Sequence, residues 1–323
     1  MQPRQSSRVI VALALVWASL GAAAAQQQAQ PKAAAQVVQP KAAQPQASDS
    51  LKFAIIGDSG TGSSAQYRVA ERLIASRKTF PYEFVLMMGD NLYGSENAAA
   101  YEKKFERPYK PLLDAGIKFY ASLGNHDEPT QRYYKNFNMG GERFYTFKPK
   151  ENIRLFALDS NYMDKTQLEW LDKELKASGS DWKIAFFHHP VYSSGGTHGS
   201  DENLRALLEP LFLKYGVDAV FAGHEHFYER IRPQRGIYYF TSGGAAKLRE
   251  GNVRPSDLTA KKFDTGYHFM LVEVGKDVLD FQVITDEGKV VDSGPLPRFN
   301  DEQKKAFAAE AALPAPRPAP ARR

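Results

Sequence analysis

The chain has 323 residues, 43% of them hydrophobic, no Cys and a formal net charge of +5. These values exclude a disulfide scaffold and a cysteine-linked lipid anchor, and the charge is too small to argue for nucleic acid, although it suits an anionic substrate. Without Cys, the folded part depends on its apolar core, which this length supplies.

The first 25 residues read as a secretory signal peptide. Arg4 and Arg8 give a positive start, Val9 to Leu20 an apolar run, and Ala22 to Ala25 a small-residue cleavage zone. The run is too short to span a bilayer, and no later stretch is long and apolar enough. The mature protein is therefore expected to be exported, periplasmic or extracellular, with no membrane span. Cleavage would remove two Arg and no acid, taking the formal charge from +5 to +3. Residues 26–50, rich in Gln, Ala and Pro, read as a flexible linker. Residues 51–295 have the composition of one α/β domain, and 296–323 form a C-terminal segment ending, from 309, in a disordered Ala/Pro/Arg tail.

Within the domain the pattern is strand, loop, helix, repeated. Lys52 to Ile56 is an apolar strand, followed by Gly57-Asp58-Ser59-Gly60-Thr61-Gly62 and a helix over Ser64 to Ser76. This Gly-rich loop has neither dinucleotide-fingerprint nor P-loop spacing, so its useful atom is the Asp58 carboxylate. Glu83 to Met88 is the second strand and ends in Gly89-Asp90-Asn91-Leu92-Tyr93. A carboxylate at Asp90 has two oxygens for two cations, and Tyr93 can return a phenol oxygen to one of them. Ile117 to Ser122 is the third strand, ending in Gly124-Asn125-His126-Asp127. Gly141 to Phe147 and Ile153 to Leu158 read as strands, and Thr166 to Ala177 as an amphipathic helix. Trp182 to Phe187 is a buried strand ending in His188-His189-Pro190, with His198 in the following Ser/Gly/Thr-rich loop. Leu204 to Tyr215 reads as a helix, and Val217 to Ala222 as a strand ending in Gly223-His224-Glu225-His226. Gly236 to Thr241, Tyr267 to Val274 and Val278 to Thr285 are the last strands, expected to complete a second sheet. Lys247, Arg249 and Arg254 fall in a loop among them, where a phosphate role is no better a reading than a solvated loop.

Each such loop taken alone is a good turn sequence. The chain, however, has seven His, and six lie at strand ends or in the loop after one. With two Asp, an Asn and a Tyr at equivalent places, turns explain them poorly, because carboxyl ends of strands are where open α/β sheets bind ligands. His268, inside a strand, reads as structural.

The ordered set Gly57-Asp58-Ser59-Gly60, Gly89-Asp90-Asn91-Leu92-Tyr93, Gly124-Asn125-His126-Asp127, Ala185-Phe186-Phe187-His188 and Gly223-His224-Glu225-His226 resembles the five blocks of the purple acid phosphatases. These are calcineurin-like metallophosphoesterases, and the small tartrate-resistant type is the most similar, since only a linker precedes the domain. The resemblance implies an α/β fold: a two-sheet β-sandwich flanked by helices in four αββα layers. It implies a binuclear centre. A ferric ion would be held by Asp58, Tyr93, His226 and one oxygen of Asp90. A divalent iron, zinc or manganese would be held by the other Asp90 oxygen, Asn125, His188 and His224. Hard oxygen donors suit the trivalent ion, and imidazoles with an amide suit the divalent one. Nucleases and protein phosphatases of the wider superfamily usually carry His at the place of Gly60 and lack the Tyr, so Tyr93 implies a coloured phenolate-iron centre.

The implied activity is an acid phosphatase hydrolysing phosphate monoesters by direct attack of a metal-bound hydroxide. His126 and His198 would be the catalytic histidines that stabilise the transition state and protonate the leaving oxygen, and Asp127 would orient a neighbour. Ala185 replaces the usual Val without touching the ligand set. His189 matches no ligand position and is a supporting group or an alternative ligand. The short stretch between Asp159 and the helix at Thr166 implies no activation by proteolysis. A phosphodiesterase or nucleotide-processing enzyme on the same site is the alternative, with a non-catalytic metal- or phosphate-binding protein third. A phosphate-ester substrate, no stable nucleic-acid partner and a monomer are expected.

Overall fold

The computed structural model describes residues 50–311. The predicted signal peptide, nearly all of the linker and most of the predicted tail lie outside the described residues. Among the described residues no helix is long and apolar enough to cross a membrane.

In chain order, β1 (Leu51–Ile56), α1 (Ser64–Ser76) and β2 (Phe84–Met87) are followed by a helical run. The run joins α2 (Ala98–Tyr101), a π-turn (Glu102–Glu106) and α3 (Arg107–Asp114), before β3 (Lys118–Ala121). Next come β4 (Tyr145–Lys150), β5 (Ile153–Ala157), α4 (Lys165–Ala177), β6 (Trp182–Phe187), α5 (Glu202–Tyr215), β7 (Ala219–Ala222), β8 (Tyr228–Ile231) and β9 (Tyr238–Ser242). β10 (Thr259–Phe263), β11 (His268–Val274), β12 (Val278–Thr285), β13 (Val290–Pro297) and α6 (Asp301–Ala311) complete the described chain. The run over 98–114 is not among the predicted elements, nor are β8, β10, β13 and α6. Pro108 and Pro111 hide the run, being ordinary breakers in a sequence reading.

Two sheets form, in strand order β13-β12-β11-β1-β2-β3 and β10-β8-β9-β7-β6-β5-β4. β1, β2 and β3 run parallel, as do β5, β6, β7 and β9. The central strands are largely apolar because both faces are covered, with Lys52 in β1 and Lys183 in β6 as the charged exceptions. Phe84, Leu86 and Met88 pack between the sheets, whereas the alternating Val85 and Met87 pack on the helix side with Val69, Leu73 and Phe105. In the second sheet Ile184 and Phe186 face the inter-sheet core, while Ala185 and Phe187 meet Leu171, Leu208 and Phe212 from α4 and α5. Three apolar layers thus separate four layers of secondary structure, as the αββα reading requires.

One strand assignment needs correction. β11 and β12 do not join the second sheet. β11 pairs antiparallel with β1, Leu51 opposite Val274, and β12 pairs with β11. Apolar alternation identifies a strand but not its neighbour, and the C-terminal hairpin closes the open edge of β1. Ordered packing also continues past residue 295. β13 runs to Pro297, Arg298 Nε lies 3.0 Å from the buried Asp218 carboxylate, and Phe307 of α6 stacks edge-on against Phe299. His268 is fully buried on β11 with its ring 5.9 Å from that of Tyr228, and burial pushes its pKa down to about 4. It is structural, as the sequence suggested.

Candidate metal centre

The parallel strands of each sheet end at the same edge, so the loops after β1, β2 and β3 meet those after β6 and β7 there. Asp58, Asp90 and His224 follow their strands in left-handed backbone, with φ of +57°, +51° and +69°. That region is costly for residues with a Cβ, and it persists where surrounding bonds fix it. Here they do. Asp58 N donates to Gly89 O at 3.1 Å, His126 N to Asp90 Oδ1 at 3.0 Å, and His224 N to Asp58 Oδ2 at 2.9 Å. The last of these bonds ties the first sheet's loops to the second's.

All seven predicted ligands converge. On one side, Tyr93 Oη lies 3.1 Å from Asp58 Oδ1 and 3.3 Å from His226 Nε2, which itself lies 3.3 Å from Asp58 Oδ1. On the other, His188 Nε2 lies 3.0 Å from Asn125 Oδ1, 3.0 Å from His224 Nδ1 and 3.4 Å from Asp90 Oδ1. Asp58, Asp90 and His188 offer donor atoms within 4.8 Å of one another, as do His188, His189 and His224.

The chemistry of this set fits cations. His188 Nδ1 lies 2.8 Å from the Met88 carbonyl, which only accepts, so Nδ1 carries the ring proton. Nε2 of the neutral ring is then a lone pair, aimed at an amide oxygen, a carboxylate oxygen and a second imidazole nitrogen. Electron pairs meet there with too few protons to share. Asp58, Tyr93, His188, His224 and His226 are also pushed toward their neutral forms. Burial, then the neighbouring Asp90 charge, raises the Asp58 carboxyl well above its usual range. Burial, then Asp58 and Asp90, raises the Tyr93 phenol. Burial holds His188 well below its ordinary value, puts His224 at about 2 with help from His188, and His226 at about 3 with help from Arg249 and Lys247. A bound cation reverses this logic, since it stabilises the carboxylates and phenolate and takes the free imidazole electrons.

The two predicted catalytic histidines flank the cluster and are exposed. The His126 ring lies 4.9 Å from that of Tyr93, and the His198 ring 4.2 Å from that of His224. Asp127 accepts from the backbone of Asn91, Leu92 and Gly124 and from Gln131 Nε2, and so clamps the second loop to the third. Burial and the Asp90 charge nevertheless push its pKa up to about 7. His189 Nδ1 is 2.9 Å from Ser160 Oγ, and its ring centroid lies 4.5 Å from that of His224, the planes tilted by 54°. It lies where two clefts of about 530 and 410 Å³ meet, both also lined by Asp201.

Sequence reasoning passed over several residues that build the site. Asn91 is buried and donates to Ser122 O and Asp127 Oδ2. Glu225 is fully buried between two predicted ligands and accepts from His198 N and Gly199 N at 3.2 and 2.7 Å, which fixes the His198 loop. The signal for Glu225 was its place inside Gly223-His224-Glu225-His226, where an acid between two ligands reads as a turn residue.

Residues 51–228 match the family model described as calcineurin-like phosphoesterase. Among curated proteins, the chain is 26% identical over 302 residues to tartrate-resistant acid phosphatase type 5 of Rattus norvegicus, covering 77% of this chain and 90% of that one. Among solved structures, a purple acid phosphatase from yellow lupin seeds superposes with a TM-score of 0.66 at 20% identity, over 84% of this chain and 57% of that one. GAP50, described as the anchor in the inner membrane complex of Plasmodium, superposes with a TM-score of 0.69 at 20% identity, over 82% and 95%. The two structures share the fold. The family model spans more than half of the chain, across all five loops that build the site, and the protein accordingly belongs to the calcineurin-like phosphoesterases and is a phosphoric ester hydrolase.

Proposed function

We propose that this protein is an exported acid phosphatase with a binuclear centre, hydrolysing phosphate monoesters without a phospho-enzyme. The observation that carries the reading is the convergence of Tyr93 with Asp58 and His226 on one side of Asp90. Asp58, Tyr93, His226 and one Asp90 oxygen would hold a ferric ion. The other Asp90 oxygen, Asn125, His188 and His224 would hold a divalent one. When bound, such a pair supplies Lewis acidity and a water acidic enough to be reactive at low pH.

The chain's own residues do the rest. His126 and His198 stand on opposite flanks of the cluster with exposed rings. Their N–H groups bind the phosphoryl oxygens, and the imidazolium nearer the leaving oxygen gives it a proton. Glu225 holds His198 in place by accepting from its backbone. His126→Ala and His198→Ala are each expected to lower kcat on an aryl phosphate by about 10²-fold with metal content unchanged. Full turnover in both variants refutes these roles.

The test of the whole reading is the visible absorption spectrum of the purified mature protein, with metal analysis and ester turnover across pH. A broad purple band, about two metals per chain and monoester turnover in acid are expected. A colourless protein with two divalent ions and a preference for diesters moves the site to phosphodiester chemistry. Full metal occupancy with no turnover on any ester leaves a binding protein.

A further inference from the structure

We propose that Glu229, buried behind the His198 loop, is a positioning residue for the reaction: it fixes the root of residues 193–200 so that the His198 ring is held against the bound ester. The proposal rests on the phosphatase reading above and deepens its account of His198.

Residues 193–200, Ser-Ser-Gly-Gly-Thr-His-Gly-Ser, contain three Gly and no apolar side chain. Such a segment has little to bury and much backbone freedom to lose, so polar bonds must order it. Two buried carboxylates supply them. Glu225 takes the tip, through His198 N and Gly199 N. Glu229, fully buried on β8, takes the root. Its Oε2 accepts from Ser194 N at 2.8 Å and from Ser193 Oγ at 3.2 Å. Ser193 Oγ in turn accepts from Gly195 N at 3.0 Å, so one carboxylate oxygen governs three consecutive residues. Ser200 then closes the segment on itself, its Oγ accepting from Ser193 N at 2.9 Å and donating to Ser193 O at 3.1 Å. His198 lies exposed within this closed turn and inherits whatever position the root is given.

The other carboxylate oxygen serves the sheet. Glu229 Oε1 accepts from the hydroxyl of Thr259, the first residue of β10. A role confined to the sheet edge would need only this bond, and β8 and β10 already pair through their backbones, with Phe263 opposite Tyr228. The two bonds on Oε2 leave the sheet for the His198 segment. Two substitutions separate the roles. Gln keeps an oxygen for Ser193 and Ser194, and its amide N–H can donate to the Thr259 hydroxyl, which also accepts. Met has similar length and no comparable acceptor, so it leaves the buried Ser194 N–H unpaired.

The experiment measures kcat and KM on an aryl phosphate for Glu229→Met and Glu229→Gln. Each is made in the wild-type, His198→Ala and His126→Ala backgrounds, in the metal-loaded full chain with metal content verified. Glu229→Met is expected to lower kcat about tenfold in the wild-type and His126→Ala backgrounds, with KM little changed, and to have no effect once His198 is gone. Glu229→Gln is expected to recover most of the loss. Equal losses in all three backgrounds, or no loss in the wild type, overturn the assignment, because a general weakening of the fold acts with or without His198. If Glu229→Met does not fold, Ser193→Ala removes the hydroxyl bond alone and runs through the same cycle, with a loss of about threefold expected. Full turnover in His198→Ala refutes the role of His198 and this proposal with it. Wild-type protein that hydrolyses no ester sinks the phosphatase reading itself.

Discussion

Asp90→Asn is expected to leave a folded chain that cannot retain two metal ions and turns over phosphate esters about 10³-fold more slowly or worse. Asp90 is 1% exposed and stands between the two halves of the cluster. Its Oδ1 accepts from His126 N at 3.0 Å and lies 3.4 Å from His188 Nε2. Asn keeps an oxygen for the His126 bond, so the loop holds. It removes the anionic charge and the second carboxylate oxygen that would join the two cations. Metal analysis after gel filtration, with near-ultraviolet circular dichroism to verify the fold, decides the matter. A variant with two ions per chain and normal turnover refutes the bridging role of Asp90.

Gly60→Ala is expected to destabilise the protein by about 3 kcal/mol or more and to separate Tyr93 from Asp58. A Cβ on Gly60 would lie 1.8 Å from the Asn91 carbonyl oxygen and 2.6 Å from Leu92 Cα, both backbone atoms, so no side-chain rotation relieves the clash. Gly60 N donates to Asp90 O at 3.3 Å, and Tyr93 N to Gly60 O at 2.9 Å. These bonds close the Tyr93 loop over the Asp58 loop. At this place the room for a side chain is filled by the chain leading to Tyr93. Urea unfolding of the purified variant measures the loss, and an unchanged midpoint with wild-type metal content would show that the loops part without cost.

The sequence alone determined ten of the thirteen described strands, missing β8, β10 and β13, together with their order along the chain and the donors at their ends. Each of those signals is local. A fully covered parallel strand reads as a nearly continuous apolar run, unbroken in Phe84 to Met87 and interrupted only by Lys183 in Trp182 to Phe187, and the residue types that hold metals stand out where such a run stops. The tertiary structure decided what depends on partners distant in sequence. The β11–β12 hairpin could have extended either sheet by its alternation. It joined the first because β1 needed an antiparallel neighbour, 223 residues away for the Leu51–Val274 pair. Glu225 gained its role because two loops present backbone N–H groups to one buried carboxylate. Lys247 stands over Tyr93, rather than in solvent, because backbone bonds to Gly57 and His226 fix its loop. Hydrophobic period and turn chemistry act over a few residues, whereas strand pairing, burial and charge compensation are settled only when distant segments meet.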